Sequence, residues 1–352
     1  MRYGSHLNPA NRFEKVRHEA ELDQVEWDTE YLDRCHQTEI EYIVDDAQSI
    51  VAENQSPDVP FRYSLNPYRG CIHACSYCYA RPTHEYLGFN AGRDFETKIV
   101  VKHDAADLFR KFLSKPQWKP EPITFSGVTD CYQPAERKFQ LTRSCLQVAL
   151  ECKQPVNIVT KNALIVRDLD ILEEMAKHDL VHVFVSITTL QPLLARDMEP
   201  RTSIPAARLR ALETLAHAEI PTGILVAPVI PGLNDSEIPA ILQAAKSAGA
   251  RAAGYVLLRL PLTVLPVFEE WVQRTRPTQA EKILGRVRAT RDGKLNDSQF
   301  GQRMVGTGQI ALQIRNMFKL FRQQVGLVSK LPEHNCDDFR PPSSPSGQQM
   351  LF

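Results

Sequence analysis

The sequence contains no uninterrupted apolar stretch of about eighteen residues, the length that a membrane-spanning helix needs. Its first nine residues have no apolar core of the kind found in secretory signal peptides, so a cytoplasmic protein without a membrane contact is expected. The chain also lacks excess charge, since 42 basic residues balance 42 acidic ones. This balance argues against a dedicated nucleic-acid binder, which is often strongly basic.

Cysteine is sparse outside one short segment. The sequence has eight cysteines, and Cys71, Cys75 and Cys78 form a C-x3-C-x2-C pattern. Disulfides are not expected in a cytosolic chain, where clustered cysteines usually bind metal. Thiolates suit either zinc or an iron–sulfur cluster, so the segment is predicted to hold one of the two.

The number of clustered cysteines favours the iron–sulfur interpretation. A structural zinc site needs four protein ligands, usually in two C-x2-C pairs, and the sequence has no second pair. Zinc therefore requires His73 or His84 as its fourth ligand, and this alternative stays open. A four-iron cube held by three cysteines leaves one iron open, and an open iron can bind a substrate or cosubstrate.

Apolar runs and helical patterns alternate through the middle of the chain, which predicts parallel strands joined by helices. Crossovers between parallel strands are right-handed, so such a series winds in one direction. The sequence thus predicts an α/β fold, a partial (βα)6 TIM-like barrel of parallel strands with an N-terminal extension and a helical C-terminal region. The predicted strands lie at residues 61–65, 98–102, 123–126, 156–160, 182–187, 222–228 and 254–258, with 98–102 either a hairpin strand or an early barrel strand. The predicted helices lie at residues 105–113, 136–152, 166–177, 206–218 and 237–248.

Four regions follow from these patterns. Residues 1–60 form an acidic N-terminal extension with a helical pattern at 19–36, and residues 61–260 form the barrel core. Residues 261–330 form a helical region, and residues 331–352 are predicted to be a disordered tail from the Pro, Ser and Gln at its end. The helices predicted in the C-terminal region lie at 264–275, 279–290 and 310–325.

The segments that flank the cysteines carry a resemblance to a known family. They are Asn66-Pro-Tyr-Arg-Gly-Cys71 and Cys78-Tyr-Ala-Arg-Pro-Thr-His84, and the aromatic Tyr77 directly precedes the third cysteine. With the cysteine spacing, they resemble the radical S-adenosylmethionine (SAM) enzymes, in the branch that includes spore photoproduct lyase and its uncharacterised bacterial relatives. The resemblance implies a [4Fe–4S] cluster on the cysteines, SAM on the open iron, and a reductant such as flavodoxin or ferredoxin as a partner.

The resemblance covers residues 61–260 and also implies a chemistry. An electron passes from the cluster to the sulfonium of SAM, and the carbon–sulfur bond breaks to give methionine and a 5′-deoxyadenosyl radical. That radical takes a hydrogen atom from a substrate, which the sequence does not identify. The protein's task is to bind, orient and shield the cofactor.

Polar residues at the predicted strand ends are the candidates for SAM binding that the resemblance implies. Thr129 and Asp130 stand where the superfamily often has a Gly-Gly-Glu-like segment that accepts hydrogen bonds from the SAM amine, or else they cap the next helix. Lys161 suits the SAM carboxylate, with a solvated lysine as the alternative. Ser186 and Thr188 face one side of their strand and either bind the carboxylate or ribose or fill the barrel.

Three further residues belong to the predicted cofactor-binding set. Arg201 pairs either with the SAM carboxylate or with Glu199, which lies two positions before it. Pro228 ends a later predicted strand, where the superfamily holds the adenine against exposed backbone. Tyr77 is included because of its place beside the third cysteine.

Cys131 is the candidate catalytic residue. Photoproduct lyase uses a cysteine near the end of its second barrel strand to return a hydrogen atom, and Cys131 lies close to that region but not at the matching place. The alternative is a small buried residue at a helix start. Tyr79 and Tyr132 are other candidates near the site, whereas Cys145 and Cys152 share an apolar helical face and are predicted to be core.

Charge is distributed unevenly along the chain. Residues 1–60 hold 14 acidic and 5 basic residues, a net charge of −9, and residues 274–322 hold 11 basic and 3 acidic residues, a net charge of +8. The basic segment could follow a phosphate backbone, so a nucleic-acid substrate is one hypothesis. Because the acidic extension could neutralise it, a peptide or small-molecule substrate is the other.

Two non-enzymatic interpretations complete the set. One is an iron–sulfur electron-transfer protein, although such carriers usually bind every iron through cysteine. The other is a zinc-stabilised interaction module.

Overall fold

The structure, a computed structural model, describes residues 3–13 and 39–342. Within these residues the chain forms ten strands in two sheets. The strands are β1 Glu41–Val44, β2 Val51–Glu53, β3 Tyr63–Leu65, β4 Tyr68–Arg69, β5 Lys98–Val101, β6 Ile123–Phe125, β7 Val156–Thr160, β8 Val181–Ser186, β9 Thr222–Val229 and β10 Ala252–Leu257. The helical pattern predicted at residues 19–36 lies outside the described residues.

The larger sheet confirms the predicted partial (βα)6 barrel. Its strand order is β10-β9-β8-β7-β6-β3-β2, and the six strands β3 and β6 to β10 run parallel. Strand β2 adds an antiparallel edge beside β3. The parallel strands are rich in buried Val and Ile because both of their faces are covered, as is usual for such sheets.

The predicted helices are present with small differences. The helix expected at residues 136–152 is divided at Gln140, whose φ of 52° interrupts the helical hydrogen bonds. The α-helices are Arg93–Thr97, Ala105–Leu113, Glu136–Phe139, Leu141–Glu151, Leu169–Ala176, Pro192–Met198, Pro205–His217, Ile238–Ser247, Val264–Thr275, Ala280–Ala289 and Gly308–Gln324. Three 3₁₀ helices lie at Arg81–Leu87, Ala163–Asp168 and Asp235–Glu237. No helix in the described residues is long and apolar enough to cross a membrane.

The smaller sheet contains the strand that the sequence left ambiguous. Strand β5 pairs with β1 in parallel and with β4 in antiparallel orientation, so it lies outside the barrel. Two strands, β1 and β2, fall inside the predicted acidic extension, which is therefore partly built into the two sheets.

Residues 3–13, called the N-terminal strap below, pack onto the segment that follows β4. The backbone amide of Ser5 donates to Glu96 Oε1 at 2.8 Å, and Asn11 Nδ2 donates to the carbonyl of Glu85 at 2.9 Å. A Cβ on Gly4 would lie 1.7 Å from the carbonyl oxygen of Ala74, so only glycine allows this approach. The composition of this part of the extension did not predict that it would be buried.

Part of the predicted disordered tail packs against the amino ends of the barrel strands. The ring of His334 stacks on His182 of β8 at 3.8 Å, and the amide of Arg340 donates to the carbonyl of Cys152 at 2.8 Å. Residues 331–342 therefore differ from the expectation, because their His and backbone groups find partners that a composition argument does not consider. The remainder of the predicted tail lies outside the described residues.

The barrel is not closed, since β10 and β2 each have one neighbour in the sheet. The gap between them is called the open edge below. It is bridged by Arg303, whose Nε donates to Asp58 at 2.6 Å, and by the amide of Gly301, which donates to the same carboxylate at 2.7 Å. A cavity of about 530 Å³ lined by residues 53–56 and 59–62 lies at the β2–β3 connection and contains none of the predicted site residues.

Candidate cluster and cofactor site

The three clustered cysteines lie in a loop that follows β3 and β4 at the carboxyl end of the barrel. Cys71 and Cys75 are buried, and Cys78 is half-buried. The loop needs left-handed backbone at Gly70, with a φ of 74°, where a Cβ would lie 2.7 Å from the carbonyl oxygen of Lys98. This close approach lets the chain turn directly from β4 into the cysteines, so residues 70–78 are called the cysteine loop below.

The three thiols of this loop are soft donors of the kind that iron–sulfur clusters use. No group of three or more His, Cys, Asp or Glu side chains in residues 3–13 and 39–342 is arranged to hold a single metal ion. Burial raises the pKa of the Cys75 thiol, and it raises that of Cys78 to about 11, so a cationic partner is needed to keep them as thiolates.

The two histidines of the zinc alternative are placed differently. His73 is buried and engaged, with Nδ1 3.4 Å from Asp130 Oδ2 and Nε2 3.1 Å from Asn162 Nδ2. His84 is buried beside aromatic rings, 5.2 Å from that of Phe89, and neither of its ring nitrogens has a hydrogen-bond partner in the described part of the chain. Within the described residues His84 forms no metal-binding group with the cysteines.

A first buried network joins His73 of the cysteine loop to Asp130. Burial opposes protonation of His73, but the charges of Asp130 and Cys71 raise its pKa to about 9. Burial likewise opposes ionisation of Asp130, but His73 lowers the pKa of that carboxyl group to about 2. The pair is therefore ionic at neutral pH and ties the cysteine loop to the end of β6.

Asp130 also accepts hydrogen bonds from residues near the ends of neighbouring strands. Its Oδ1 accepts from Thr160 Oγ1 at 2.8 Å and from the amide of Tyr132 at 2.9 Å, and its Oδ2 accepts from the amide of Lys161 at 2.8 Å. Thr129 Oγ1 donates to the carbonyl of Tyr68 at 2.8 Å. Neither side chain caps the helix Glu136–Phe139, although Asp130 accepts from the amide two residues beyond it, as a capping residue does.

A second network is centred on Glu199, which is buried beneath the same loop. Its carboxylate accepts from the hydroxyl of Tyr77, from Arg208 Nη2 and from Thr188 Oγ1, the last at 3.0 Å. Burial opposes ionisation, yet Arg208 and then Lys161 lower the pKa of Glu199. Tyr77 is thus fixed against the loop after β8.

A third network contains Glu96 and Arg81. Arg81 Nη2 donates to Glu96 Oε1 at 2.6 Å and to the carbonyl of Cys75 at 2.9 Å. The same carboxylate receives the amides of Gly4 and Ser5 from the N-terminal strap. The strap and the cysteine loop are therefore held by one buried carboxylate.

The amide side chain of Gln133 adds a direct brace. Its Oε1 accepts from the amide of Ile72 at 2.9 Å, and its Nε2 donates to the carbonyl of Gly70 at 3.0 Å. Gln133, Glu96, Arg81 and His73 were not selected from the sequence as site residues apart from the role of His73 as a zinc alternative. Their signal is absent from the sequence because each acts through a partner that is distant along the chain.

Of the two partners predicted for Arg201, the structure contradicts Glu199. Glu199 is paired with Arg208, and Arg201 Nη2 lies 3.3 Å from Glu96 Oε2. Its guanidinium also lies 5.3 Å from the centroid of the Tyr3 ring in the N-terminal strap. The pairing with the SAM carboxylate stays a prediction.

The three candidates for a hydrogen-atom donor differ in burial. Cys131 is fully buried in the apolar core, and burial raises its pKa well above the usual range. Tyr132 is also fully buried and donates to Asp168 Oδ2 at 3.1 Å. Both positions favour a structural role, whereas Tyr79 is 49% exposed beside the cysteine loop and donates to the carbonyl of Gly127 at 2.9 Å.

The remaining SAM candidates lie at the carboxyl ends of β7, β8 and β9. Lys161 follows β7, and its ammonium lies 5.8 Å from the centroid of the Tyr77 ring without an ion pair among the described residues. Ser186 ends β8, buried, and its carbonyl accepts from Arg208 Nη1 at 2.9 Å. Pro228 lies within β9, so the strand continues one residue beyond its predicted end, and Asn234 Nδ2 donates to its carbonyl at 3.1 Å.

Fold and site together define a class of protein: an open parallel βα barrel with a three-thiol loop after its first parallel strand. A family model described as the Radical SAM superfamily matches residues 65–245, more than half of the chain. The chain therefore belongs to the radical SAM superfamily, as the cysteine motif predicted. The match begins at the last residue of β3, contains β6 to β9 and includes the whole cysteine loop.

Individual relatives agree with this assignment. An uncharacterised protein of Mycobacterium tuberculosis (strain ATCC 25618 / H37Rv) is 39% identical over 221 residues, which cover 62% of this chain and 65% of the relative. An uncharacterised protein of Methanocaldococcus jannaschii is 32% identical over 176 residues, which cover 50% of this chain and 63% of the relative. The matched region thus spans less than two thirds of the length of these curated relatives.

Solved structures of spore photoproduct lyase share the fold. The complex of that enzyme with dinucleoside spore photoproduct has a TM-score of 0.59 at 16% identity, covering 82% of this chain and 81% of the enzyme chain. A variant with bound AdoMet and dinucleoside spore photoproduct has a TM-score of 0.61 at 17% identity, covering 91% and 87%. The fold predicted from the resemblance is thereby confirmed.

Proposed function

We propose that this protein is a radical SAM enzyme that binds a [4Fe–4S] cluster through Cys71, Cys75 and Cys78 and cleaves SAM reductively. The observation that carries the proposal is the set of three thiols in one buried loop at the carboxyl end of a parallel barrel, the end where βα barrels hold their chemistry. When bound, the cluster supplies the electron that breaks the carbon–sulfur bond of SAM and so starts hydrogen abstraction from a substrate. Membership of the superfamily supports this chemistry.

Three residues of the chain would hold the cosubstrate in this proposal. Lys161 offers an ammonium group without an ion pair in the described residues, and an ammonium group suits the methionyl carboxylate. Ser186 offers a hydroxyl at the end of the next strand. The backbone around Pro228 offers an apolar strand end for the adenine, as in the family pattern.

The buried networks would serve the reaction by fixing and shielding the cysteine loop. A reactive intermediate needs a site from which water and other partners are excluded. Tyr77 and His73 belong to the cysteine loop and Arg81 follows it, and all three are buried. Asp130 and Glu96 hold His73 and Arg81 by ion pairs, and Glu199 holds Tyr77 by a hydrogen bond.

The substrate and the electron donor are proposals of a coarser kind. A reductant such as flavodoxin or ferredoxin would supply the electron. The substrate is a nucleic acid, a peptide or a small molecule, and likeness to an enzyme solved with a dinucleoside spore photoproduct supports testing nucleic acid first. The basic segment 274–322 is partly neutralised within the described residues, because Arg274, Arg276 and Arg303 pair with carboxylates.

The test is anaerobic reconstitution of the full chain with iron and sulfide, followed by addition of a strong reductant and SAM. We expect about four irons and four sulfides per chain, by the stoichiometry of the cube, and formation of 5′-deoxyadenosine that depends on both SAM and reductant. An electron carrier would bind the cluster without SAM-dependent change in its spectrum. One zinc per chain and no sulfide would contradict the proposal.

A further inference from the structure

The open edge of the barrel carries an arginine that has no carboxylate partner in the part of the chain that the structure describes. Arg259 lies two residues beyond β10, at the carboxyl end of the last parallel strand. Its Nε is buried without a hydrogen-bond partner, and its Nη1 donates to the thioether sulfur of Met304 at 3.5 Å. A thioether is a weak acceptor, so most of the hydrogen-bonding capacity of this guanidinium is unused.

Arg259 lies beside the cysteine loop although it comes from the opposite end of the sheet. Its guanidinium carbon is 6.0 Å from the centroid of the Tyr79 ring. Tyr79 directly follows Cys78, and its hydroxyl reaches the carbonyl of Gly127 after β6. The pair spans the open edge, with Tyr79 about half exposed, so a molecule that enters there toward the cysteines would meet Arg259.

The surroundings of Arg259 hold an excess of positive charge. The charge of Asp58 reaches Arg259, but this carboxylate is bound by Arg303 Nε at 2.6 Å and by the amide of Gly301. Arg303 thus pairs with the carboxylate of Asp58 and places a second positive charge near Arg259. Burial and then this neighbouring charge lower the pKa of Arg259, as expected for a cation that lacks a counter-charge.

Other arginines around the carboxyl end of the barrel have defined partners. Arg81 is paired with Glu96 and Arg208 with Glu199, and Arg291 donates to the carbonyl oxygens of Leu258 and Gln302. A purely structural Arg259 would be expected to have similar contacts, because burying a cation without a partner costs free energy. An arginine that binds an anion from solution is expected to lack a carboxylate partner within the protein, as Arg259 does in the described residues.

We propose that Arg259 binds an oxyanion of the substrate, a phosphate or a carboxylate, at the open edge. A guanidinium presents its donors in a planar fork that matches both groups, so it would fix the position of the substrate relative to the cysteine loop. The inference rests on the proposed function, since it assigns the substrate class of that same site: a molecule that carries an oxyanion near its reacting carbon. Arg259 is thereby a specificity-determining residue.

The experiment titrates inorganic phosphate and, separately, acetate into reconstituted full-length protein by calorimetry. The variants are Arg259→Gln and the control Arg274→Gln, which removes the same charge from an arginine paired with Glu270 on an outer helix. We expect Arg259→Gln to bind the preferred anion ten- to a hundredfold more weakly, roughly the value of a charge-assisted hydrogen bond, and the control to bind like the wild type. The anion that binds more tightly to the wild type identifies the group.

A second variant, Arg259→Lys, and a titration with SAM distinguish loss of the guanidinium fork from other causes of weak anion binding. Arg259→Lys retains the charge but not the fork, so it should bind with intermediate affinity, and it replaces Arg259→Gln if that variant does not fold. Equal anion affinity in wild type and Arg259→Gln, or no anion binding by the wild type, would overturn the inference. So would a joint loss of phosphate and SAM binding, because the guanidinium would then belong to the SAM carboxylate. Failure of the wild type to form 5′-deoxyadenosine is measured separately and would refute the proposed function while leaving the anion titration intact.

Discussion

The two ends of the barrel bury polar groups in opposite ways. At the carboxyl end, Asp130, Glu199 and Glu96 are buried as ions beside His73, Arg208 and Arg81, and each pair touches or supports the cysteine loop. At the amino end, the segment of residues 331–342 is held by backbone hydrogen bonds and by a stack of two histidines. Burial lowers the pKa of His182 to about 3 and also lowers that of His334, so these two stacked rings are uncharged at neutral pH.

This difference shows at which end of the barrel the free-energy cost of burying charged groups is found. A buried ion pair is often no more stable than a hydrophobic replacement, because both charges lose their hydration. The three buried pairs around the cysteine loop therefore serve to hold that loop in place rather than to stabilise the fold. The amino end needs only to be covered, and neutral groups do this at lower cost.

The largest effect is expected at the cysteines, and it would be absent at the amino end. Replacing Cys71, Cys75 or Cys78 by Ala should eliminate the cluster and all SAM cleavage, because a cube cannot be held by two thiolates and keep one iron available. Cys336→Ala, in the amino-end segment, should leave both intact. Iron and sulfide analysis together with 5′-deoxyadenosine formation measures the effect. A Cys78→Ala protein with a full cluster would contradict the assignment.

The ionic networks should contribute the next largest effect, which falls on stability. Glu199→Gln leaves the buried guanidinium of Arg208 without a counter-charge, and removing one partner of a buried pair costs about 3–5 kcal/mol of the free energy of unfolding. The matched control is Glu174→Gln, where an exposed carboxylate pairs with Lys177 and a change within about 1 kcal/mol is expected. Urea unfolding of both variants at pH 7 compares them. Equal losses would show that the two ends do not differ as described.

SAM affinity offers a third and smaller difference. Lys161→Ala should weaken SAM binding by about ten- to a hundredfold, because a hydrogen bond to a charged group is worth about 1.5–3 kcal/mol. The cluster should remain, since Lys161 is not a ligand. Lys177→Ala, on the exposed helix end near the amino end of the barrel, is the control. Equilibrium binding of SAM to reconstituted protein decides the matter, and unchanged affinity in Lys161→Ala would make this residue an ordinary solvated lysine.

The smallest effect is a pH dependence that arises at the amino end. Because the folded-state pKa of His182 lies at about 3, below the usual histidine value of 6.5, the unfolded chain binds more protons between these pH values. Stability from this residue is complete above pH 6.5 and falls as the pH is lowered toward 3, by up to about 1.4 kcal/mol per pH unit. Urea midpoints at pH 7, 6 and 5 should show the slope, and His182→Phe should reduce it. An unchanged slope in that variant would assign it to other groups.

Some elements of the fold were predictable because their signals are local. Strand β7 and the helix Leu169–Ala176 have apolar residues at the spacings that their own geometry requires, and both formed where expected. The prediction failed where the partner is distant: the N-terminal strap is polar, and Gly4 matters only because Ala74 approaches it. Residues 331–342 were assigned to a tail because composition takes no account of the contact between His334 and His182.

The candidate site likewise contains residues that the sequence predicted and residues that it did not. The cysteines were found from their C-x3-C-x2-C spacing, and Lys161 was found because it follows a predicted strand directly. Strand ends are where a parallel barrel places its functional groups. The partner of Arg201 was missed because Glu96 lies in a helix outside the barrel. Arg259 could not have been selected, since an unpaired arginine is recognisable only when the surrounding carboxylates are seen to be occupied.

The sequence by itself determined the superfamily, the barrel and the three clustered thiols. These features depend on spacings of a few residues, which are visible in the linear chain as cysteine pattern and hydrophobic periodicity. The tertiary structure alone decided which side chains fix the cysteine loop and which cations lack an ion pair within residues 3–13 and 39–342. Tyr77 and Glu199, 122 positions apart, form a contact that no local pattern encodes. Whether a buried charge is neutralised depends on every group that packs around it, and that set exists only once the chain has folded.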